Sequence, residues 1–436
     1  MFGIKTLLQN RIKRVLFIKV SDTHFHEKGY PKWLIRLYLR SIQIQLLDRR
    51  TNYNLGWLYT LPHKFAIETY ANFLHQNPNH LGNFSINSNT VSGTQQLERQ
   101  VIQKMIDLYH GKLGALEGYV TSGATESNLY STWVGRKYLE QFVKIHTICV
   151  VKTNLTHYSI RKSADIVNCP EFITPLERTG WGMSPKGLEK TVLKLYKGGF
   201  RGFLLPLTMG YTATGTSDDI GAVVRVANQI LHAHRDIKIY IWIDAALNGL
   251  IEPFVADAFT PFSSPLVQTV VVDFHKLGLV PYPAGIIIYR KTLRKLVEKP
   301  VDYFPETDNT VLGSRTGVAP AAIWTMISYF GKLGYKNLID KQLDLKQLFI
   351  TQLLEILPQT QIITQSHSLS CGIIFHSLKK FRLPQYISDK YGLYPMSIQC
   401  VFYPSTTSSI TLYKFFFLPG ITQNVLNEFL HDLSKI

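Results

Sequence analysis

A chain of 436 residues, 45% of them hydrophobic, can bury a sizeable core in more than one folding unit, which excludes a disordered or low-complexity protein. Its 47 Lys and Arg against 30 Asp and Glu give a formal net charge of +17, which suits anionic partners or a phosphorylated ligand without separating nucleic acid, membrane and small phosphates. Four widely separated cysteines, Cys149, Cys169, Cys371 and Cys400, with no Cys-x-x-Cys pair and no His/Cys cluster at ligand spacing, predict a reducing, cytoplasmic setting and no metal site.

From the N-terminus, Met1 to Val20 mixes Phe2, Ile4, Leu7, Leu8, Ile12, Val15 and Leu16 with Lys5, Arg11, Lys13, Arg14 and Lys19, the pattern of a basic amphipathic helix. Charges interrupt any apolar core, so a secretory signal is not expected. Two readings stand: a membrane-surface or targeting helix, and a helix packed on the body or on a partner subunit, the second being favoured. The run Trp33 to Arg40 alternates too loosely to assign. Asn52 to Asn89 is polar and loop-rich, and His75 to Asn83 supplies breakers and side chains suited to a ligand-facing loop. A helix is predicted from about Thr94 to Tyr109.

Between Glu117 and about Arg290, short β-branched runs alternate with helical periods, which predicts an α/β domain with a mainly parallel sheet. The candidate strands are 145–151, 202–207, 237–243, 267–272 and 285–289. None is long enough to span a bilayer, so a soluble chain is expected. A helix is predicted from Ala319 to about Phe330, ahead of Gly331 and Gly334, and a further segment from Leu338 to Leu357. Strands at 370–375 and 409–413 and a closing helix at 422–433 predict a smaller C-terminal α/β unit. The expected division is 1–93 as an arm with the dimer and substrate-loop segment, 94–316 as the large domain and 317–436 as the small one.

Three stretches carry chemistry. Gly118 to Asn128 passes from strand through Thr121-Ser122-Gly123-Ala124-Thr125 into a helix ending near Leu139, and such a turn offers backbone N–H groups, a hydroxyl and a helix dipole to a phosphate. Read alone, it is as well explained by an N-capped helix. Trp242-Ile243-Asp244-Ala245-Ala246 ends an apolar strand in a carboxylate that is costly to bury without a cationic or hydrogen-bonding partner. Val270-Val271-Val272-Asp273-Phe274-His275-Lys276 runs a buried strand into a lysine placed to be desolvated, which favours a free amine able to form an imine. In isolation the acid is better read as a cap or salt-bridge residue, and the lysine as a solvated strand end.

In this order the motifs resemble those of the fold-type I pyridoxal-phosphate enzymes, and within them the group II amino-acid decarboxylases. The similarity runs from about Leu81 to Lys336 and is greatest to bacterial histidine decarboxylases and archaeal tyrosine/aspartate decarboxylases, with a more distant likeness to sphingosine-phosphate lyase. It implies pyridoxal 5′-phosphate as cofactor, an aspartate aminotransferase-like fold, a homodimer with shared active sites and decarboxylation of an L-amino acid. By the same resemblance Gly123, Ala124 and Thr125 form the phosphate turn, Asp244 pairs with the pyridinium nitrogen, and Ala246 lies against the ring. Lys276 carries the cofactor, with Asp273 and His275 beside it. Thr156-His157-Tyr158-Ser159 resembles the segment whose histidine stacks on the cofactor face. Met209 to Ile220 resembles a segment that places Thr212 beside the cofactor with Asp218 behind it. Leu312 to Gly317 resembles a Gly-Ser-Arg turn near the dimer interface, where Arg315 either orients the site or forms a structural ion pair.

The chain departs from the pattern at Ala124, where Gly is usual, at Trp242, where His is usual, and at Asp273, which must turn away from a phosphate or accept from backbone donors. Tyr303, His157 and Lys276 are the candidate proton donors to Cα. Two alternatives accompany decarboxylation: a carbon–carbon lyase acting on a phosphorylated amino-alcohol, and a non-catalytic relative presenting a basic surface to membranes or nucleic acid. Nucleic acid is not an expected partner of the enzyme. The substrate stays open among histidine, aromatic and acidic amino acids.

Overall fold

The computed structural model describes residues 29–49, 53–58, 60–82, 93–256, 259–302, 307–378, 382–404 and 406–436. They belong to two compact units, Met1–Asn54 and Leu55–Ile436. In the first unit the described element is α1 (Lys32–Arg49), which leaves Trp33, Ile35 and Leu39 exposed. Leu, Arg and Gln, all good helix formers, supply most of that segment and explain a helix without a clean amphipathic period. The amphipathic-helix reading of Met1 to Val20 lies outside the described residues.

In the second unit the expected polar loop of 52–89 contains a helix, α2 (Lys64–Leu74). The flanking polar residues hid its Phe65, Ala66, Ile67, Tyr70 and Leu74 period. The His63 side chain caps it by accepting from the Phe65 N–H at 3.2 Å. Helix α3 (Gly93–Leu108) buries Val101, Ile102, Met105 and Ile106, the i, i+1, i+4, i+5 spacing of a face turned to the core.

A seven-stranded sheet holds the centre, built from β1 (Leu116–Thr121), β2 (Ile148–Lys152), β3 (Glu171–Ile173), β4 (Gly202–Thr208), β5 (Lys238–Asp244), β6 (Val267–Asp273) and β7 (Gly285–Arg290), in the order β1-β7-β6-β5-β4-β2-β3. Strand β7 runs antiparallel to β1 and β6, while β6, β5, β4, β2 and β3 are mutually parallel. Every residue of β4 and β6 is buried, because helices cover both faces and such strands read as unbroken apolar runs. The first predicted strand loses its start: residues Ile145–Thr147 form a 3-10 turn ahead of β2. The short edge strand β3 had no sequence signal of its own.

The flanking helices are α4 (Ala124–Leu139), α5 (Tyr158–Ile166), α6 (Pro185–Lys197) and α7 (Ile220–Ala233). Their starts are chemically marked: Ser184 caps α6 by accepting from the Gly187 N–H at 3.1 Å with Pro185 following, and Asp219 caps α7 by accepting from the Ala222 N–H at 2.8 Å. Next comes α8 (Val318–Ile356), interrupted at Gly331, whose φ of 57° takes the chain out of the helix where a side chain would be strained. The break falls where the first helix was predicted to end.

The C-terminal part is a four-stranded antiparallel sheet of β8 (Thr360–Ile363), β9 (Ser370–Phe375), β10 (Met396–Phe402) and β11 (Thr406–Phe416) in the order β8-β9-β11-β10, with α9 (Gln385–Tyr391) and α10 (Gln423–Leu433). All four cysteines are buried and unpaired: Cys149 in β2, Cys169 after α5, Cys371 in β9 and Cys400 in β10. Among the described residues no helix is long and apolar enough to cross a membrane, and no group of His, Cys, Asp and Glu side chains is arranged to hold a metal.

Candidate active site

Strands β4, β5 and β6 end side by side, at Thr208, Asp244 and Asp273, and β1 delivers its turn to the same edge, where open α/β sheets gather ligands. A cleft with about 850 Å³ of empty space opens there. Ten of the eleven residues given a catalytic or cofactor-binding role from the sequence line it: Gly123, Ala124, Thr125, His157, Thr212, Asp244, Ala246, Asp273, His275 and Lys276. The eleventh, Tyr303, lies outside the described residues.

The turn after β1 is conformationally demanding. Gly123 has φ 141°, and a Cβ there would stand 2.9 Å from His275 Cε1, so the position takes glycine for both backbone and space. Beyond it α4 begins, and Glu126 reaches back to accept from the Ser122 N–H at 2.7 Å, which ties down the turn one residue ahead of the helix N-cap Gly123. The Ala124 N–H donates to Asp273 Oδ1 at 2.6 Å. Asp273 therefore accepts from a backbone donor, the second of the two outcomes expected for it.

Asp273 also meets the lysine. Its Oδ2 lies 2.8 Å from Lys276 Nζ and 3.6 Å from His275 Nε2. The strand's own terminal carboxylate thus turns back onto the lysine that follows it. His275 is held below the usual histidine range, burial outweighing the pull of Asp273, and its Nδ1 accepts from the Ala284 N–H at 3.3 Å.

Asp244 is 4% exposed. Its Oδ2 accepts from Asn128 Nδ2 at 2.8 Å and its Oδ1 from the Ala246 N–H at 3.2 Å, both neutral donors. Asn128, one turn into α4, also donates from Nδ2 to Ser159 Oγ at 3.1 Å and accepts at Oδ1 from Trp242 Nε1 at 3.1 Å. Neither Asn128 nor Ser159 was singled out from the sequence. A polar residue at i+4 from Ala124, on the face of α4 that meets β5, was the available signal.

His157 caps α5, and its Nδ1 lies 2.8 Å from Ser159 Oγ and 3.3 Å from the Ser159 N–H. Burial pushes its imidazole below the ordinary range, against the attraction of Asp244. Behind Thr212, Asp218 accepts from the Thr208 N–H at 2.7 Å, the Met183 N–H at 2.6 Å and the Tyr211 hydroxyl at 2.7 Å. It fixes the loop from outside the cleft, and burial raises its carboxyl to about 6.

Arg315 forms a buried ion pair and is not among the residues lining the cleft. Its guanidinium donates to Glu98 Oε1 at 2.5 Å, to Val120 O at 2.8 Å and to Gly82 O, and lies 4.8 Å from the Tyr119 ring centre. His80 Nδ1 completes the cluster at 2.6 Å from Glu98 Oε2. Burial alone would raise the Glu98 carboxyl, but Arg315 and His80 overcome it and bring it from 4.5 down to about 2. A carboxyl depressed in the folded state contributes stability that is present above its unfolded value and lost as pH falls through the folded one. Glu98→Gln is therefore expected to cost roughly 3 kcal/mol at pH 7. It should also flatten the acid limb of stability between about pH 4.5 and 2. Denaturant midpoints at pH 7 and pH 3 check this, and equal midpoints for both proteins at pH 7 would refute it.

Residues 72–379 match the family described as pyridoxal-dependent decarboxylase conserved domain. The chain is 28% identical over 367 residues to a tryptophan decarboxylase of Clostridium sporogenes, covering 83% of each. It is 27% identical over 395 residues to a probable L-tyrosine/L-aspartate decarboxylase of Methanosphaera stadtmanae, covering 88% of this chain and 91% of the relative. The crystal structure of L-methionine decarboxylase from Streptomyces sp. 590 superposes with a TM-score of 0.79 at 18% identity, over 96% of this chain and 97% of that one, a likeness of fold.

Proposed function

The chain belongs to the pyridoxal-dependent decarboxylase family, and from that premise we propose which residues hold the cofactor, what kind of side chain the substrate carries and how the protein assembles. The protein is a pyridoxal-phosphate-dependent amino-acid decarboxylase. The carbon–carbon lyase and non-catalytic readings give way to that membership.

The cleft suits the cofactor at both ends. Asp273 Oδ1 on the Ala124 N–H is a stand-in anion that marks the turn as an anion seat, and Gly123 leaves the space that a Cβ would fill. At the other end, Asp244 is a buried carboxylate held by neutral donors, a setting that a protonated ring nitrogen completes. The juxtaposition of Lys276, Asp244 and the Gly123 turn in one cleft carries the assignment.

When bound, pyridoxal phosphate supplies the electron sink that takes up the pair released as the Cα–carboxylate bond breaks. The protein does the rest. Gly123, Ala124 and Thr125 seat the phosphate, with His275 beside them. Lys276 Nζ is the amine that would hold the cofactor. Asp244 would keep a proton on the ring nitrogen, and Ala246, His157 and Thr212 line the space that the ring would take. The proton that replaces CO₂ comes from His157, Lys276 or Tyr303.

The cleft wall includes Leu58, Leu155 and Leu247, and apolar walls favour an apolar or aromatic amino-acid side chain. The exposed Phe65, Ile67, Tyr329 and Leu333 on α2 and α8 support a homodimer that completes the site. The buried, unpaired cysteines suit a cytoplasmic enzyme.

The test is a substrate panel on purified protein with pyridoxal phosphate: L-Trp, L-Tyr, L-Phe and L-Met against L-His, L-Asp, L-Glu and L-Ser, with CO₂ and amine measured. Amine from an apolar or aromatic member is expected. Preference for an acidic member would overturn the substrate assignment, and silence across the panel would overturn the activity.

A further inference from the structure

The hydrogen bonds around Asn128 join two parts of the cleft that the resemblance treats separately, and they have a definite direction. Trp242 Nε1–H can only donate, so at 3.1 Å it fixes Asn128 Oδ1 as its acceptor and turns the amide nitrogen the other way. Asn128 Nδ2 spends one hydrogen on Asp244 Oδ2 at 2.8 Å and the other on Ser159 Oγ at 3.1 Å. Ser159 Oγ, having accepted, directs its own hydrogen to His157 Nδ1 at 2.8 Å. The Ser159 backbone N–H points at the same nitrogen at 3.3 Å, and a backbone N–H requires a lone pair there. Three of the four are fully packed, Trp242, Asn128 and Ser159 being buried, and His157 is half-buried at the cleft.

From this geometry we infer that Trp242, Asn128 and Ser159 are positioning residues that hold His157 as the tautomer protonated at Nε2, so that its N–H is the one presented to the cleft. The consequence for the reaction rests on the assignment of His157 to the ring face given above. Nδ1 is committed to Ser159, and the proton stands on the nitrogen left to the substrate side, ready to donate. Asn128 ties that donor to Asp244, so the group that keeps the ring nitrogen protonated and the group that faces the ring share one amide. Trp242 is the root of the relay, and the indole offers a donor that a phenyl ring lacks. Burial lowers the basicity of His157, which favours the neutral imidazole, the form in which the choice between the two nitrogens has meaning.

The test uses the holoenzyme labelled with ¹⁵N-histidine, with His157 assigned by its loss in His157→Gln. Nitrogen chemical shifts and couplings to ring protons report which nitrogen carries the hydrogen. The wild type is expected to show Nε2–H. In Ser159→Ala the ratio of the two tautomers should relax by about fivefold, the weight of one hydrogen bond, and kcat should fall about five- to tenfold with KM changed less than twofold. Ser159→Thr, which restores the hydroxyl, should recover both. An Nδ1–H tautomer in the wild type would overturn the inference whether or not any variant folds, as would an unchanged ratio in Ser159→Ala. The tautomer is read without turnover, so a substrate panel with no product would sink the activity and leave this result standing.

Discussion

Lys276→Ala is expected to lose at least about 10⁴-fold in decarboxylation while keeping its fold. Nζ lies at the end of β6 against Asp273 at 2.8 Å, and alanine removes the amine without opening the core, since the side chain reaches into the cleft. Two measurements check the role. Borohydride treatment of the wild type with pyridoxal phosphate should leave the cofactor attached to the Lys276 peptide, and the variant should gain no such mass. Activity above about one per cent of the wild type, or attachment at another lysine, would remove Lys276 from the position proposed for it. Near-identical far-ultraviolet circular dichroism separates loss of chemistry from loss of structure.

Asp244→Asn is expected to weaken retention of the cofactor and to lower kcat by about 10²–10³-fold, the scale on which truncating one member of a buried charge pair acts. The substitution keeps size and shape and changes charge. It also disturbs the relay, because Asn128 Nδ2 would face an amide in place of a carboxylate that accepts from it at 2.8 Å. Equilibrium dialysis of the cofactor and steady-state kinetics separate the two effects. Values within threefold of the wild type would mean that the ring nitrogen finds its partner elsewhere.

Legibility in the sequence varied with how local the signal was. The strand ends were readable because β4 and β6 are buried throughout and β5 everywhere but at Lys238, and the β5 and β6 runs stop at a carboxylate that no core tolerates unpaired. Gly123 was readable as a turn, although its particular demand, a Cβ pressing on His275 at 2.9 Å, needs residues 152 positions apart to meet. His157 depended on resemblance, since a histidine before a helix is an ordinary cap. Asn128 escaped because an asparagine inside a helix carries no pattern of its own; its meaning lies in Trp242, Asp244 and Ser159. The departure from histidine at Trp242 was visible, but what the indole N–H does there is a matter of tertiary geometry. Arg315 was left between two roles because its partner Glu98 is 217 residues away, beyond any local period. Helix α2 was masked by the polar residues around it.

The four cysteines give the protein a built-in gauge of opening. Burial raises the Cys169 and Cys400 thiols to about 11 and Cys371 to about 12, and Cys149 higher still, so the reactive thiolate is scarce and shielded in the native fold. Alkylating reagents and mild oxidants consequently act when a segment swings away from its neighbours, and at a rate that follows the population of the opened form. Two of the thiols lie in or beside the seven-stranded sheet, Cys149 and Cys169, and two in the four-stranded one, Cys371 and Cys400. The order in which they are modified therefore records which sheet yields first, and an active preparation ages by losing structure before it loses thiols.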